Sequence, residues 1–487
     1  MAKDAIEGLE PKILWERFYE ITQVPHPSKK EEKLREHLKN LLSELKVEFK
    51  EDSAGNIVAY LPATKGYENA PTVILQGHID MVCEKNKDKE HNFENDPLTI
   101  LRDDGWITAD GTTLGSDNGI GVAAALAVIS DDNIVHGPIE ILMTVDEETG
   151  LTGASNLQQD LLSGNILLNM DSEEDGAFYV GCAGGVDTLG SFEIQAEHVS
   201  AHTKAYKILV TGLKGGHSGL DIQFGRGNAI KILTRTLSSI ESLNYRIAEI
   251  DGGSLRNAIP RESEAVLFLT DEESAKAKDI IDEFEMKVKN ELKSVDAEVE
   301  ILFKNTDDEF DKVYKRDFSD RIVDVLLALP HGVIAMSKDI EGLVETSTNL
   351  ATVKVNNNII TIGTSQRSSV ESSKDYIAKS VASVFKLANA QIELGDGYPG
   401  WKPNMDSKVL QISKKVFKDL YGKEPEIKAI HAGLECGILE GKKPGLDMIS
   451  FGPTIQGAHS PDERVNIETV RKFYELLKGI LKHLAEN

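Results

Sequence analysis

"TVILQGHIDMV", residues 72–82, opens as an apolar strand and then places His78 and Asp80 at its end. Side chains two apart on a strand share a face, so the imidazole and the carboxylate project together. Two further stretches have the same form: "IEILMTVDEETG" (139–150) and "ILLNMDSEEDG" (166–176) are apolar runs that end in acids. Short apolar runs bounded by turns are the pattern of strands buried on both faces of a parallel sheet. The helical patterns "KILWERFYEIT" (12–22) and "EEKLREHLKNLLSEL" (31–45) precede them. This alternation predicts an α/β domain over residues 1–185, with a mixed, largely parallel sheet flanked by helices. Within it, "LTILRDDGWITADGTTL" (98–114) carries two Asp-Gly turn signals and predicts a β-hairpin.

From about Val186 the pattern changes. "AYKILVTGL" (205–213), "EAVLFLT" (264–270) and "NIITIG" (358–363) read as strands, interleaved with helices such as "GNAIKILTRTLSSIESL" (227–243) and "SDRIVDVLLALP" (319–330). Residues 186–392 are therefore expected to form an inserted α+β domain, and the α/β pattern returns over 393–487. The Ser-rich "TSQRSSVESS" (364–373) reads as a strand-to-helix turn.

A chain of 487 residues exceeds one comfortable hydrophobic core, which fits more than one domain. Its 80 Asp and Glu outnumber 54 Lys and Arg, for a formal charge of -26, a balance that repels phosphate backbones and anionic membrane surfaces. Neither nucleic acid nor membrane is expected as a partner. The acidic start "MAKDAIEGLEPKILWERF" lacks the basic and apolar regions of a signal peptide, and no apolar run approaches membrane-spanning length. Cys83, Cys182 and Cys436 are few and scattered. A cytoplasmic protein is expected, with Cys83 and Cys182 as small buried residues.

The acids and histidines at strand ends carry the chemistry. Asp117 sits in the Gly-rich turn of "LGSDNGIGVAAALAVISDD" (114–132), just before an Ala-rich helix; Asp146, Glu147 and Glu148 close one strand and Asp171 another. His459, in "SFGPTIQGAHSPDERVNIET" (450–469), follows a strand far along the chain. Each residue alone has an ordinary reading as a satisfied pair, a helix cap, a solvated turn or a surface histidine. Together they fall at the carboxyl ends of strands, where open α/β sheets bind ligands. Carboxylates converging on one crevice repel one another unless cations neutralise them. Two histidines with three or more carboxylates suit Zn²⁺ and exceed the needs of one catalytic ion, so a pair of ions sharing a bridging carboxylate uses the set fully.

"GHIDMV" (77–82), "LGSDNGIGVA" (114–123), "VDEETGLTGA" (145–154), "NMDSEE" (169–174) and "HAGLECG" (431–437) occur in that order. In this series the chain resembles the co-catalytic di-zinc metallopeptidases related to carboxypeptidases and aminoacylases, and within them the aminoacyl-histidine dipeptidase branch. The resemblance implies that His78, Asp117 and Asp171 bind one Zn²⁺ and that Asp117, Glu148 and His459 bind the other, with Mn²⁺ or Co²⁺ able to substitute. It implies that Asp80 orients His78 and that Glu147 is the general base toward a metal-activated water. It further implies that the inserted domain is a lid and a homodimer surface. There His217 of "GLKGGHSG" (212–219) polarises the scissile carbonyl, in relatives often from the partner subunit. Asn257 in "SLRNAIP" (254–260) and Arg367 fall where relatives hold the substrate, and Gly433 and Glu435 where they shape its pocket. The implied activity is hydrolysis of dipeptides, Xaa-His and others. The alternatives are an amidase or deacylase acting on N-acyl amino acids and a non-catalytic metal-binding scaffold.

Overall fold

The computed structural model describes residues 2–487. The chain forms two compact units, one of Met1–Gly181, Pro403–Ala429 and Leu434–Asn487, the other of Cys182–Lys402 and Ile430–Gly433.

The first unit is built on an eight-stranded sheet. In chain order its strands are β1 (Glu48–Glu51), β2 (Ile57–Leu61), β3 (Val73–His78), β4 (Ile139–Thr144), β5 (Ile166–Asn169), β6 (Ala177–Cys182), β7 (Glu426–Ile430) and β8 (Asp447–Ser450). Their spatial order is β1-β2-β4-β3-β5-β8-β6-β7. The centre is parallel, with β3 beside β4 and β5 and β8 beside β5, whereas β1, β2 and β6 pair antiparallel. The sheet is thus mixed, with its parallel part confined to the middle. Central strands β3 and β4 are buried at every residue, which explains their unbroken apolar runs. The helices Lys12–Thr22, Glu32–Glu44 and Ile467–Glu486 each bury one apolar stripe, for example Leu14, Trp15, Phe18 and Ile21 in the first.

The Ala-rich helix Ser116–Ser130 is buried along nearly its whole length. Its small side chains let it approach β3 closely. A Cβ on Gly77 would lie 2.3 Å from Asn118 Oδ1, so only glycine lets the start of this helix reach the strand that ends in His78. The hairpin is Ile100–Asp103 paired with Trp106–Ala109, turned by Asp104 and Gly105 at φ 34° and 86°.

The second unit carries a nine-stranded antiparallel sheet. The helices Ala229–Ser239, Asp271–Glu291, Arg316–Ala328 and Glu371–Leu387 share one core with it, through residues such as Leu233, Ile281, Ile322 and Phe385 packed on Ile208, Leu267 and Ile362. Its borders fall at Cys182 and Lys402, where the sequence places them at 186 and 392. Cys182 and Trp401 exchange backbone hydrogen bonds at 2.9 and 3.0 Å, and Gly185 and Tyr398 at 3.1 and 2.8 Å, which ties the exit of this segment to its entry. Ile430–Gly433 joins the same unit because the Ala183 N–H donates to the carbonyls of Ile430 and Ala432 at 3.1 and 3.0 Å.

The strand-to-helix turn expected over 364–373 forms at Ser369 and Val370, between the helix that begins at Glu371 and the strand Ile359–Ser368, which runs through "TSQRS". Its polar side chains are satisfied laterally: the Thr188 hydroxyl donates to Gln366 at 2.7 Å, and Thr346 and Ser368 hydroxyls meet at 2.9 Å. Cys182 and Cys436 are buried, while Cys83 is only partly so. Among the described residues, no helix is long and apolar enough to cross a membrane.

Candidate metal centre

The first unit gathers the strand-end residues at one place. His78 ends β3, Glu147 and Glu148 follow β4, Asp171 follows β5, and Asp117 lies at the start of the Ala-rich helix, where its φ/ψ of -84° and 105° depart from helical values. His459 arrives on the loop between Ile455–Gln456 and Arg464–Asn466 with a left-handed φ of 61°. A non-glycine residue held there is strained, as side chains at functional sites commonly are.

Donor atoms of His78, Asp117 and Asp171 lie within 4.8 Å of one another, as do those of Asp117, Glu148 and His459. Asp117 belongs to both sets, offering Oδ1 to His78 Nε2 at 3.1 Å and Oδ2 to His459 Nε2 at 3.3 Å. Glu148 Oε1 is 3.0 Å from His459 Nε2, and Asp171 Oδ1 is 3.2 Å from His78 Nε2. Ligands at ~2.0–2.2 Å around a tetrahedral Zn²⁺ stand about 3.3–3.6 Å apart, close to these spacings.

Hydrogen bonding alone does not account for the arrangement. His78 Nε2 carries at most one proton yet faces two carboxylate oxygens, and the buried Asp171 Oδ1 is left without a hydrogen bond. Burial, reinforced by Asp117 and Glu148, pushes the Asp171 carboxyl up to about 6 despite its His78 partner. Burial likewise pushes Glu435 up to about 7, and it drives Glu147 well above the usual range, helped by Asp171, Glu435 and Glu148. Donating hydrogen bonds to the Asp117 and Glu148 carboxylates pushes His459 up to about 11. Buried acids forced toward neutrality and an imidazole forced toward its cation mark a centre short of positive charge, which divalent cations would supply.

Asp80 has two tasks in this geometry. Its Oδ1 lies 3.4 Å from His78 Nδ1, and its carboxylate accepts the N–H groups of Glu147 at 3.0 Å and Glu148 at 3.2 Å. Burial alone would raise this acid, but His78 and the Glu147 N–H outweigh it and hold it down to about 2. Asp80 thus fixes both a histidine and the turn that follows β4. The buried trio of Glu31, Asp80 and Asp146 has its own donors, with Glu31 accepting from the N–H groups of Lys29 and Asp146 at 2.7 and 3.1 Å.

Glu463 escaped the sequence reading. In "SPDERV" it looks solvated, yet it is 2% exposed. Its carboxylate accepts the backbone N–H groups of Leu114 at 2.7 Å, Gly115 at 3.1 Å, Ser116 at 2.8 Å and Asp117 at 3.3 Å, and the Ser116 hydroxyl at 2.6 Å. A ring of N–H donors around an anion is a fixed electrostatic clamp, here joining the His459 loop to the Asp117 turn. Glu463→Leu, which shuts out replacement water, strips those donors of their acceptor at ~1–3 kcal/mol for each group left unsatisfied. A thermal melt of the metal-free protein is expected to fall by several degrees, and an unchanged melt would refute the clamp.

The second unit holds the other site residues named from the sequence. His217 lies opposite Ala258 in a short antiparallel pair, which sets it beside Asn257, whose carbonyl accepts the Ser218 N–H at 2.8 Å. His217 Nδ1 accepts from the N–H groups of Gly219 and Leu220 at 3.2 and 3.1 Å, and burial, then the Arg367 charge, lowers its pKa. The ring is therefore neutral with its proton on Nε2, an available donor. Arg367, 7% exposed, donates to the Tyr398 hydroxyl at 2.7 Å, pairs with no carboxylate among the described residues, and leaves Nε unpartnered. Gly433 and Gly185 flank the Tyr398 ring, and a Cβ on either would come within 2.9 and 2.8 Å of it. Glu435 lies with the metal-centre residues in the first unit, wholly buried.

The profile of peptidase family M20/M25/M40 matches residues 74–483. The chain is 42% identical over 486 residues to the cytosol non-specific dipeptidase of Escherichia coli strain K12, spanning 98% of this chain and 99% of that protein. The crystal structure of aminoacylhistidine dipeptidase from Vibrio alginolyticus superposes with a TM-score of 0.93 at 42% identity, covering 99% of each chain. A tripeptidase from Staphylococcus aureus, at 19% identity, a TM-score of 0.56 and coverage of 98% of this chain and all of its own, shares the fold. With its matched region spanning the segments that hold every residue of the candidate metal centre, the chain belongs to peptidase family M20/M25/M40.

Proposed function

We propose that the protein is a dipeptidase that works with two Zn²⁺ per subunit, replaceable by Mn²⁺ or Co²⁺. The observation that carries this reading is the pair of ligand sets joined through Asp117. It is supported by 42% identity, nearly end to end, to proteins named as dipeptidases. His78, Asp117 and Asp171 would hold one ion and Asp117, Glu148 and His459 the other. When bound, such ions supply Lewis acidity, which polarises a carbonyl and lowers the pKa of water from 15.7 toward about 7.

The chain's own groups do the rest. Glu147, whose carboxyl burial raises above its ordinary value, takes the proton of the attacking water and returns it to the leaving amine. Asp80 holds the backbone of Glu147 while that transfer occurs. From the second unit, which serves as lid and homodimer surface, His217 offers its Nε2 proton to the substrate carbonyl oxygen, with Asn257 beside it. Arg367 is a buried cation that pairs with no carboxylate among the described residues, and the terminal carboxylate of a small peptide completes it.

Gly433 acts through Tyr398, whose hydroxyl holds Arg367. Gly433→Ala is expected to displace that ring and raise KM about tenfold, the equivalent of 1.4 kcal/mol of binding, with a much smaller change in kcat. An unaltered KM would separate Gly433 from substrate binding.

The test of the whole reading is a hydrolysis panel of Xaa-His and other dipeptides, tripeptides and N-acyl amino acids. Dipeptides are expected to be cleaved, chelation to abolish cleavage, and Zn²⁺, Mn²⁺ or Co²⁺ to restore it. Cleavage of N-acyl amino acids with none of dipeptides would instead assign a deacylase.

A further inference from the structure

Gln76, Thr144, Asn169 and Glu435 are polar, 0% exposed and joined to one another inside the first unit. Asn169 Nδ2 donates to Gln76 Oε1 at 2.5 Å, and Gln76 Nε2 donates to Glu435 Oε2 at 2.6 Å. The Thr144 hydroxyl donates to that same Glu435 oxygen at 2.7 Å. Buried polar groups are costly unless paired, and the neighbouring positions Leu75, Leu142 and Leu168 show that these strands accept leucine readily. A network placed there calls for a purpose beyond filling space.

Its register supplies one. Gln76 of β3 stands opposite Asn169 of β5, and His78 of β3 opposite Thr144 of β4. Gln76 precedes the candidate ligand His78 by two residues on β3 and so shares its face, and Asn169 ends β5 two residues before the candidate ligand Asp171. Thr144 ends the strand that leads into Glu147 and Glu148. Glu435 comes from another part of the chain, as the first residue of the helix Glu435–Lys442.

We propose that Glu435 is a positioning residue, whose carboxylate, accepting from Gln76 and Thr144 with Asn169 in series, braces the ends of three parallel strands and sets the spacing of the ligands they carry. This differs from the substrate contact implied by the sequence resemblance, and it rests on the metal-dependent reading above. Groups that orient ligands without touching the metal typically matter by ~10–100-fold in affinity.

The experiment measures Zn²⁺ affinity of the metal-free protein by competition with a chromophoric chelator, the visible spectrum of the Co²⁺-loaded protein, and KM for a dipeptide. Glu435→Leu is expected to weaken Zn²⁺ binding by about 10–100-fold and to alter the Co²⁺ spectrum. Thr144→Val keeps the Glu435 side chain but removes one of its two donors, and is expected to weaken binding by a few-fold in the same sense. Should the Leu variant not fold, the Val variant decides. Wild-type Zn²⁺ affinity and Co²⁺ spectrum in a folded variant, with only KM raised, would overturn the brace in favour of a substrate contact. A wild-type protein that takes up no Zn²⁺ would overturn the metal reading itself, and the proposal with it.

Discussion

Glu147→Gln is expected to lower kcat by about 10²–10⁴-fold while the folded protein keeps its metal content. The amide is nearly isosteric with the carboxylate but takes no proton at neutral pH, so it removes the base and little else. The backbone N–H of residue 147 still reaches Asp80, and the turn carrying Glu148 should stay in place. The check is a pair of measurements on one preparation: metal content by elemental analysis and steady-state hydrolysis of a dipeptide. Turnover within a few-fold of the wild type would remove Glu147 from the proposed chemistry, whereas lost metal would recast it as a ligand.

Asp117→Asn is expected to have the other large effect, through metal binding rather than proton transfer. Asp117 presents one oxygen to His78 and the other to His459, and no other residue belongs to both of these ligand sets. The neutral amide offers one good ligand atom in place of two and no negative charge. Since Lewis-acid assistance supplies several kcal/mol, its loss should lower kcat/KM by on the order of 10³-fold or more. The metal-free variant should remain folded, because the turn around residue 117 is held through its backbone by Glu463. Normal metal content with normal activity would deny Asp117 the shared position.

The strand ends were open to reading because physics leaves a visible trace there. An apolar run that stops at His78, at Asp146–Glu148 or at Asp171 announces both a buried strand and the polar crevice beyond it. What stayed hidden shares a different property: its meaning lies in partners distant along the chain. Glu463 resembles any acid of a Pro-Asp-Glu-Arg loop until a turn some 350 residues earlier supplies its donors. Gln76, Thr144 and Asn169 look like mere interruptions of apolar strands, and their pairing appears only in the register. Composition places "TSQRSSVESS" at a strand-to-helix turn without showing where the strand stops, and polar neighbours on flanking strands carry it on, buried, to Ser368. Tyr398, packed between Gly185 and Gly433, has no local signal at all.

Anomalous scattering from crystals grown with Zn²⁺ tests the central claim most directly, because it locates ions without reference to activity. Two peaks are expected per chain, one beside His78 and Asp171, the other beside Glu148 and His459, with the Asp117 carboxylate between them. A single peak, or peaks away from Asp117, would contradict the shared-carboxylate centre.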